Sequence, residues 1–217
     1  MTQFYIIPHW FFGVDIAMEL VFAIVAALVA FFSFKIYKIS EEEDSKFFGI
    51  SFSLISLSYT VWATMNLFLL SKISAEIFEF ELNNILSITY ISALVQMGLF
   101  VIGLVTLTYS TLPKRTGGTY YLLAGLSLLA IVSSSLPLIT FRIVSVLLLS
   151  FLLYHYMVEH KSKKARLTLV AFALLLVSSI DFIFTIRYSL AYVIGHLLEL
   201  VAYSLILTRL VSSVKKK

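Results

Sequence analysis

The chain has 217 residues, of which 60% are apolar and only 13% charged, and its mean hydropathy is +1.00. A water-soluble globule of this size needs more charge to cover its surface, and 8 Gly and 3 Pro are too few for collagen-like or low-complexity structure. The formal net charge of +4 does not point to nucleic acid, because the basic residues sit in short loops between apolar stretches, where they act as topology signals.

Taken in chain order, seven segments meet or approach the roughly 20 apolar residues that a helix needs to cross a bilayer. They run from about Gly13 to Tyr37, Phe47 to Leu70, Asn84 to Ser110, Thr119 to Ser135, Leu136 to Val158, Leu167 to Ile186 and Ser189 to Val214. The fourth is the shortest. Its boundary with the fifth is Ser133-Ser134-Ser135-Leu136-Pro137, where Pro137 suits the first turn of a new helix after a tight Ser-rich turn. The expected fold is all-α: a single integral-membrane domain formed by a seven-helix bundle. The N-terminus carries no basic region and no small-residue cleavage site, so no removable signal peptide is expected. Tyr5, Trp10, Phe11 and Phe12 read as an interfacial aromatic anchor.

Basic residues orient the bundle. Lys35, Lys38, Lys46, Lys114, Arg115, Lys161, Lys163, Lys164, Arg166, Arg209 and the terminal Lys215, Lys216 and Lys217 fall on one side, thirteen of the 16 in the chain. Lys72, Arg142 and Arg187 fall on the other. The rule that positive loops stay in the cytoplasm then puts the N-terminus outside and the C-terminus inside. A faint echo links Ser33-Phe34-x-x-Tyr37 to Ser150-Phe151-x-x-Tyr154. Each precedes a charged loop and a helix with paired serines (Ser56 and Ser58; Ser178 and Ser179). The same register sets Gln96 opposite Glu199. This suggests a 3+1+3 arrangement, two parallel three-helix repeats joined by the fourth helix.

The absence of Cys removes disulfides, thiolate metal sites and Cys nucleophiles. Asn and Gln are scarce too, which fits a thermophile as well as a membrane composition. Ionisable groups in the apolar spans carry what chemistry there is, since each costs about 2.5–3.5 kcal/mol to insert. Tyr192, His196, Glu199 and Tyr203 are spaced four, three and four apart and share one face of the last helix. Ser178, Asp181 and Thr185 share a face of the sixth, Asp15 and Glu19 lie one turn apart on the first, and Arg142 and Ser145 open the fifth. With the N-terminus outside, these charges fall in the outer half or near the midplane, with Glu199 about 15 Å below the outer end of its helix. They outline an outward-facing polar pocket for a small ligand or cation, made by Asp15, Glu19, Arg142, Asp181, Tyr192, His196, Glu199 and Tyr203. The structural alternative is an Asp181–Arg142 ion pair that fixes packing, with Asp15 and Arg187 at headgroup level and Arg142 reaching outward.

A divalent metal would draw on His196 and Glu199 with Asp181, Glu19 or His9, although no His-x-x-x-His, His-Glu-x-x-His or Cys motif supports one. Haem is disfavoured, because His155 and His196 lie at different depths and only His9 with His196 remains. Ser53, Ser56 and Thr60, and Ser92 with Gln96, read as interhelical hydrogen bonds. Glu76, Glu79 and Glu81 form an acidic outer rim and Glu41 to Asp44 a solvated acidic turn. The basic cytoplasmic loop and Lys tail would attract the anionic surface of the lipid bilayer.

On seven spans and an outside N-terminus, the chain resembles rhodopsin-type and receptor-type bundles. It also resembles three-plus-one-plus-three sugar transporters. With His196-Leu-Leu-Glu-Leu-Val-Ala-Tyr in the last helix and its overall length, it is similar to the seven-helix input modules of microbial sensor kinases. The last helix has no Lys, which excludes retinal bound as a Schiff base. No Pro precedes a Gln, so the transporter signature is missing, and His196 is alone where ceramidase-type zinc hydrolases place His pairs. The sensor resemblance implies a ligand outside and a cytoplasmic signalling partner, since no kinase or cyclase domain follows. A small proton-coupled or solute transporter, a metal-dependent intramembrane enzyme and a structural subunit of a membrane complex stand as alternatives.

Overall fold

A computed structural model describes residues 11–73, 79–112, 116–159, 163–185 and 188–214. Seven helices account for nearly all of them: α1 (Phe12–Ser40), α2 (Glu43–Ile73), α3 (Glu79–Ser110), α4 (Gly117–Val132), α5 (Pro137–Glu159), α6 (Lys163–Phe184) and α7 (Ser189–Val214). There are no strands among the described residues. Six helices are long and apolar enough to span a membrane, and α4 is a shorter apolar helix. Its 16 residues reach about 24 Å at 1.5 Å per residue, short of a ~30 Å hydrocarbon core. His9, Trp10, Glu76, Lys114, Arg115, Lys161 and Arg187 lie outside the described residues.

The helix ends follow local chemistry. α1 stops at Glu41, whose φ of 56° is left-handed and whose N–H donates to Tyr37 O at 2.8 Å. α4 starts at Thr116, whose hydroxyl accepts from Thr119 N at 3.4 Å. Past Val132 the serines turn the chain. Ser134 Oγ accepts from Leu136 N at 3.0 Å and from the Thr140 hydroxyl at 2.7 Å, and Pro137 opens α5 where no amide hydrogen is needed.

Neighbour contacts order the helices α1–α2–α3–α5–α6–α7 and back to α1, a closed ring of six, with α4 packed outside against α3 and α5. Large apolar side chains cover the outside of the ring, among them Ile24, Phe31, Ile91, Leu147 and Ile194. Such a surface suits lipid and not water, and the molecule is an integral membrane protein. Inside, the half away from the start of α1 is filled by Val29, Phe52, Val101, Leu149, Phe172 and Ile206, all buried. Ser and Thr in the spans mostly bond a carbonyl of their own helix, as Ser53 bonds Gly49 O and Thr60 bonds Ser56 O. Ser56 instead reaches Ala23 O of α1 at 2.7 Å, tying the first two helices.

Two glycines set close crossings. A Cβ on Gly103 of α3 would lie 2.9 Å from Ile55 Cγ1 and 3.0 Å from Ser51 O of α2. One on Gly195 of α7 would lie 3.0 Å from the Phe182 ring of α6. Their bare backbones let the neighbouring helix approach.

Candidate functional site

The helical face read from α7 meets α1 and α2. Tyr192 donates its hydroxyl to Asp15 Oδ1 at 2.7 Å, and His196 Nε2 lies 3.0 Å from the same oxygen. His196 Nδ1 lies 3.1 Å from the Tyr192 carbonyl oxygen. Both ring nitrogens thus face acceptors. An imidazolium donates to both, whereas a neutral ring donates to only one. The ring is held among aromatic side chains, with Phe182 and Tyr192 centroids 5.0 and 4.5 Å away and Phe22 at 5.8 Å.

Deeper on α7, Glu199 Oε2 accepts from the Tyr59 hydroxyl of α2 at 3.2 Å. Tyr59 and Tyr203 hydroxyls are also 3.2 Å apart. A phenol has one proton, so while Tyr59 donates to Glu199, Tyr203 donates to Tyr59. Between α1 and α2, the Asn66 amide donates to Glu19 Oε2 at 3.0 Å. Except for the half-buried Tyr192, these groups are almost wholly buried, with Asp15 at 0%, Glu19 at 2% and Glu199 at 4% exposure.

Arg142 reaches in from the first turns of α5. Its guanidinium carbon lies 4.0 Å from the Phe182 ring centroid and 5.0 Å from that of Phe141. It makes no hydrogen bond or ion pair with the described residues, and Asp181 is not its partner. Gly195 supports this wall. Having no side chain, it lets Phe182 lie against α7 and lets Ser178 donate to its carbonyl oxygen at 3.0 Å.

These groups surround a cavity of about 140 Å³ walled by α1, α2, α3, α5, α6 and α7. It lies toward the end of the bundle where α1, α3, α5 and α7 begin, as its lining by Glu19, Pro137 and Tyr192 requires. The apolar side chains of the other half form its floor, beginning with Phe22, whose ring lies 5.3 Å from Tyr59 and 5.8 Å from Tyr203.

The eight residues picked out from sequence are therefore placed as follows. Glu19, Arg142, Tyr192, His196 and Glu199 line the cavity. Asp15 sits behind Tyr192 and His196, and Tyr203 lies beneath, behind Tyr59. Asp181 is only partly buried and does not line the cavity. Sequence reasoning left out Tyr59 and Asn66, and it gave Gln96 to helix packing, whereas Gln96 lines the cavity. The scarcity of amides was the available signal for Asn66; Tyr59 gave none.

Among the described residues no three His, Asp or Glu side chains group to hold a metal ion. No protein-family model matches the chain, nor does any curated protein or solved structure. Buried acids, a base and a guanidinium around one small space can bind a polar guest, exchange protons with it, and exclude bulk water while doing so.

Proposed function

We propose that the chain is a seven-helix sensor or receptor-like membrane protein. A small polar ligand or cation enters the cavity from outside the cell, and the resulting shift of the helices is read by a cytoplasmic partner at the basic loops. One observation carries this reading: the cavity gathers acidic and basic side chains from three helices, α1, α5 and α7, at one end of the ring, over a floor of close-packed apolar side chains. A blind cavity suits binding without passage. The orientation rests on the basic residues, which concentrate at the end away from the cavity. A ligand shifts such an equilibrium only by its differential affinity for two states, so the ring contacts it touches on α5, α6 and α7 would be the movable ones.

A transporter is the second reading, and the ring order favours it. Two hairpin triplets, α1–α2–α3 and α5–α6–α7, are joined by like contacts: α3 to α5 on one side, α7 to α1 on the other. That is the pattern two parallel repeats would give, with α4 as the linker. Glu199 is buried in the ring and does not face lipid, which speaks against a purely structural subunit.

Two measurements on one preparation separate these readings. Native mass spectrometry of protein released from membranes should show a retained small molecule, lost in Glu199→Gln. Proteoliposomes loaded with that molecule should show no counterflow. Counterflow abolished by Glu199→Gln would establish transport instead. Absence of any bound molecule, with Glu199→Gln and His196→Ala unchanged in stability, would remove the pocket.

A further inference from the structure

We infer that the cavity takes a compact zwitterion of the amino-acid type, its carboxylate on Arg142 and its ammonium group between Glu19 and Glu199; this rests on the cavity being a binding site. The ring order sets α5 three steps from α1, so Arg142 and Glu19 stand on opposite walls, with Glu199 on α7 beside α1. None of the three forms a close ion pair among the described residues: the hydrogen bonds to Glu19 and Glu199 come from a neutral amide and neutral hydroxyls, and His196 and Arg142 act on Glu199 only through their fields. Asp15, in contrast, has His196. Ionising such groups in an apolar bundle without a close counter-charge is costly, and a guest carrying both signs relieves both walls at once.

The chemistry of each wall is specific. A guanidinium held over the Phe182 ring presents parallel N–H donors that match a carboxylate. On the other side, an ammonium would meet two carboxylates with the ring of Tyr59 beside them. A simple amine would leave Arg142 facing added positive charge, and a simple acid would add a third carboxylate to Glu19 and Glu199. The remaining walls are apolar, with Met97, Phe100, Phe141 and Leu138. A cavity of about 140 Å³ is close to the roughly 150 Å³ that accommodates benzene, so the guest is small. Amino acids of about six to nine heavy atoms meet these limits.

The test uses the full chain in lipid nanodiscs, with thermal unfolding and calorimetry against γ-aminobutyrate, L-proline, L-valine and L-leucine. Isobutylamine and isovalerate are the single-charge controls. At least one amino acid should raise the midpoint and bind tenfold or more tightly than both controls. Arg142→Gln should abolish that preference and leave amine binding intact or stronger, and Glu199→Gln should narrow the gap to the acid. Arg142→Lys keeps the charge but loses the paired donors, and should weaken the amino acid about tenfold even if Arg142→Gln fails to fold. Tighter binding of the amine, unaffected by Arg142→Lys, would overturn the zwitterion and keep the cavity as a site. So would a retained molecule of another class with no response to any amino acid. No response to the panel and no retained molecule would overturn both.

Discussion

Asp15 receives the Tyr192 hydroxyl and faces the His196 imidazole through one oxygen, while its Oδ2, fully buried, has no hydrogen-bond partner among the described residues. The side chain therefore links α1 to α7 by its acceptor capacity. Asp15→Ala would strand the Tyr192 hydroxyl and a ring nitrogen of His196 in an apolar site, at a cost of about 1–3 kcal/mol. Asp15→Asn keeps one acceptor oxygen and should lose less. The thermal midpoint of the protein in detergent reads both, and equal midpoints for native and Asp15→Ala protein would show that this cluster does not hold the two helices together. Tyr59→Phe is the companion case. It removes the donor to Glu199 and the acceptor for Tyr203 without opening a void, so a drop of about 0.5–1.5 kcal/mol is expected, with a larger effect on ligand binding than on folding. At this scale the sequence was half legible. Charged residues in an apolar span stand out because water is absent there. Tyr59 does not stand out, since an aromatic ring belongs in any core and only its neighbours reveal what its hydroxyl does. Asp181 shows the opposite failure. It shares a helical face with Ser178 and Thr185, but at 100° per residue it sits at the edge of that face, and the ring turns the edge away from the cavity.

Helix ends differ from the apolar spans for a physical reason. α2 begins at Glu43 and α3 at Glu79, before the apolar runs expected from Phe47 and Asn84. A charged residue marks where hydrocarbon ends, not where the backbone stops coiling, and Glu43 with Lys46, 3.6 Å apart, simply continues the helix into water. At the α4–α5 turn the sequence spoke more clearly, because Pro137 and the serines have the backbone chemistry of a boundary. Crossing points were not legible at all. Gly103 looks like any glycine in an apolar helix until Ser51 and Ile55 are seen 3 Å from where its side chain would be. Gly103→Ala must push α3 off the α2 backbone and should destabilise by about 1–3 kcal/mol. Gly125→Ala, on α4, meets nothing within 4 Å and should be neutral or slightly stabilising through helix propensity. Midpoints of the two variants side by side check this. Equal midpoints would mean that α2 and α3 can part at little cost.

For the whole molecule, hydropathy yields the spans but not their order in space. Seven spans suggested a bundle of seven, whereas the structure closes a ring of six and leaves α4 outside, with Tyr121, Leu122, Leu129 and Val132 exposed. A short helix with little polar surface has nothing to contribute to a polar interior, and lipid accepts the faces it does not turn to α3 and α5. It still returns the chain to the cavity end, so that α5 starts there with Pro137 and Arg142. The direction of the whole ring then decides which compartment supplies the guest. The proposed orientation puts the α4–α5 turn outside and the α1–α2 turn in the cytoplasm. The native chain has no Cys, so single substitutions at the exposed Ser135 and Glu42 report without background. In intact cells a membrane-impermeant maleimide should label Ser135→Cys, and it should label Glu42→Cys only after permeabilisation. The reverse pattern would turn the cavity toward the cytoplasm. The concentration of lysines and arginines would then have misled about topology, and the ligand would have to come from inside the cell.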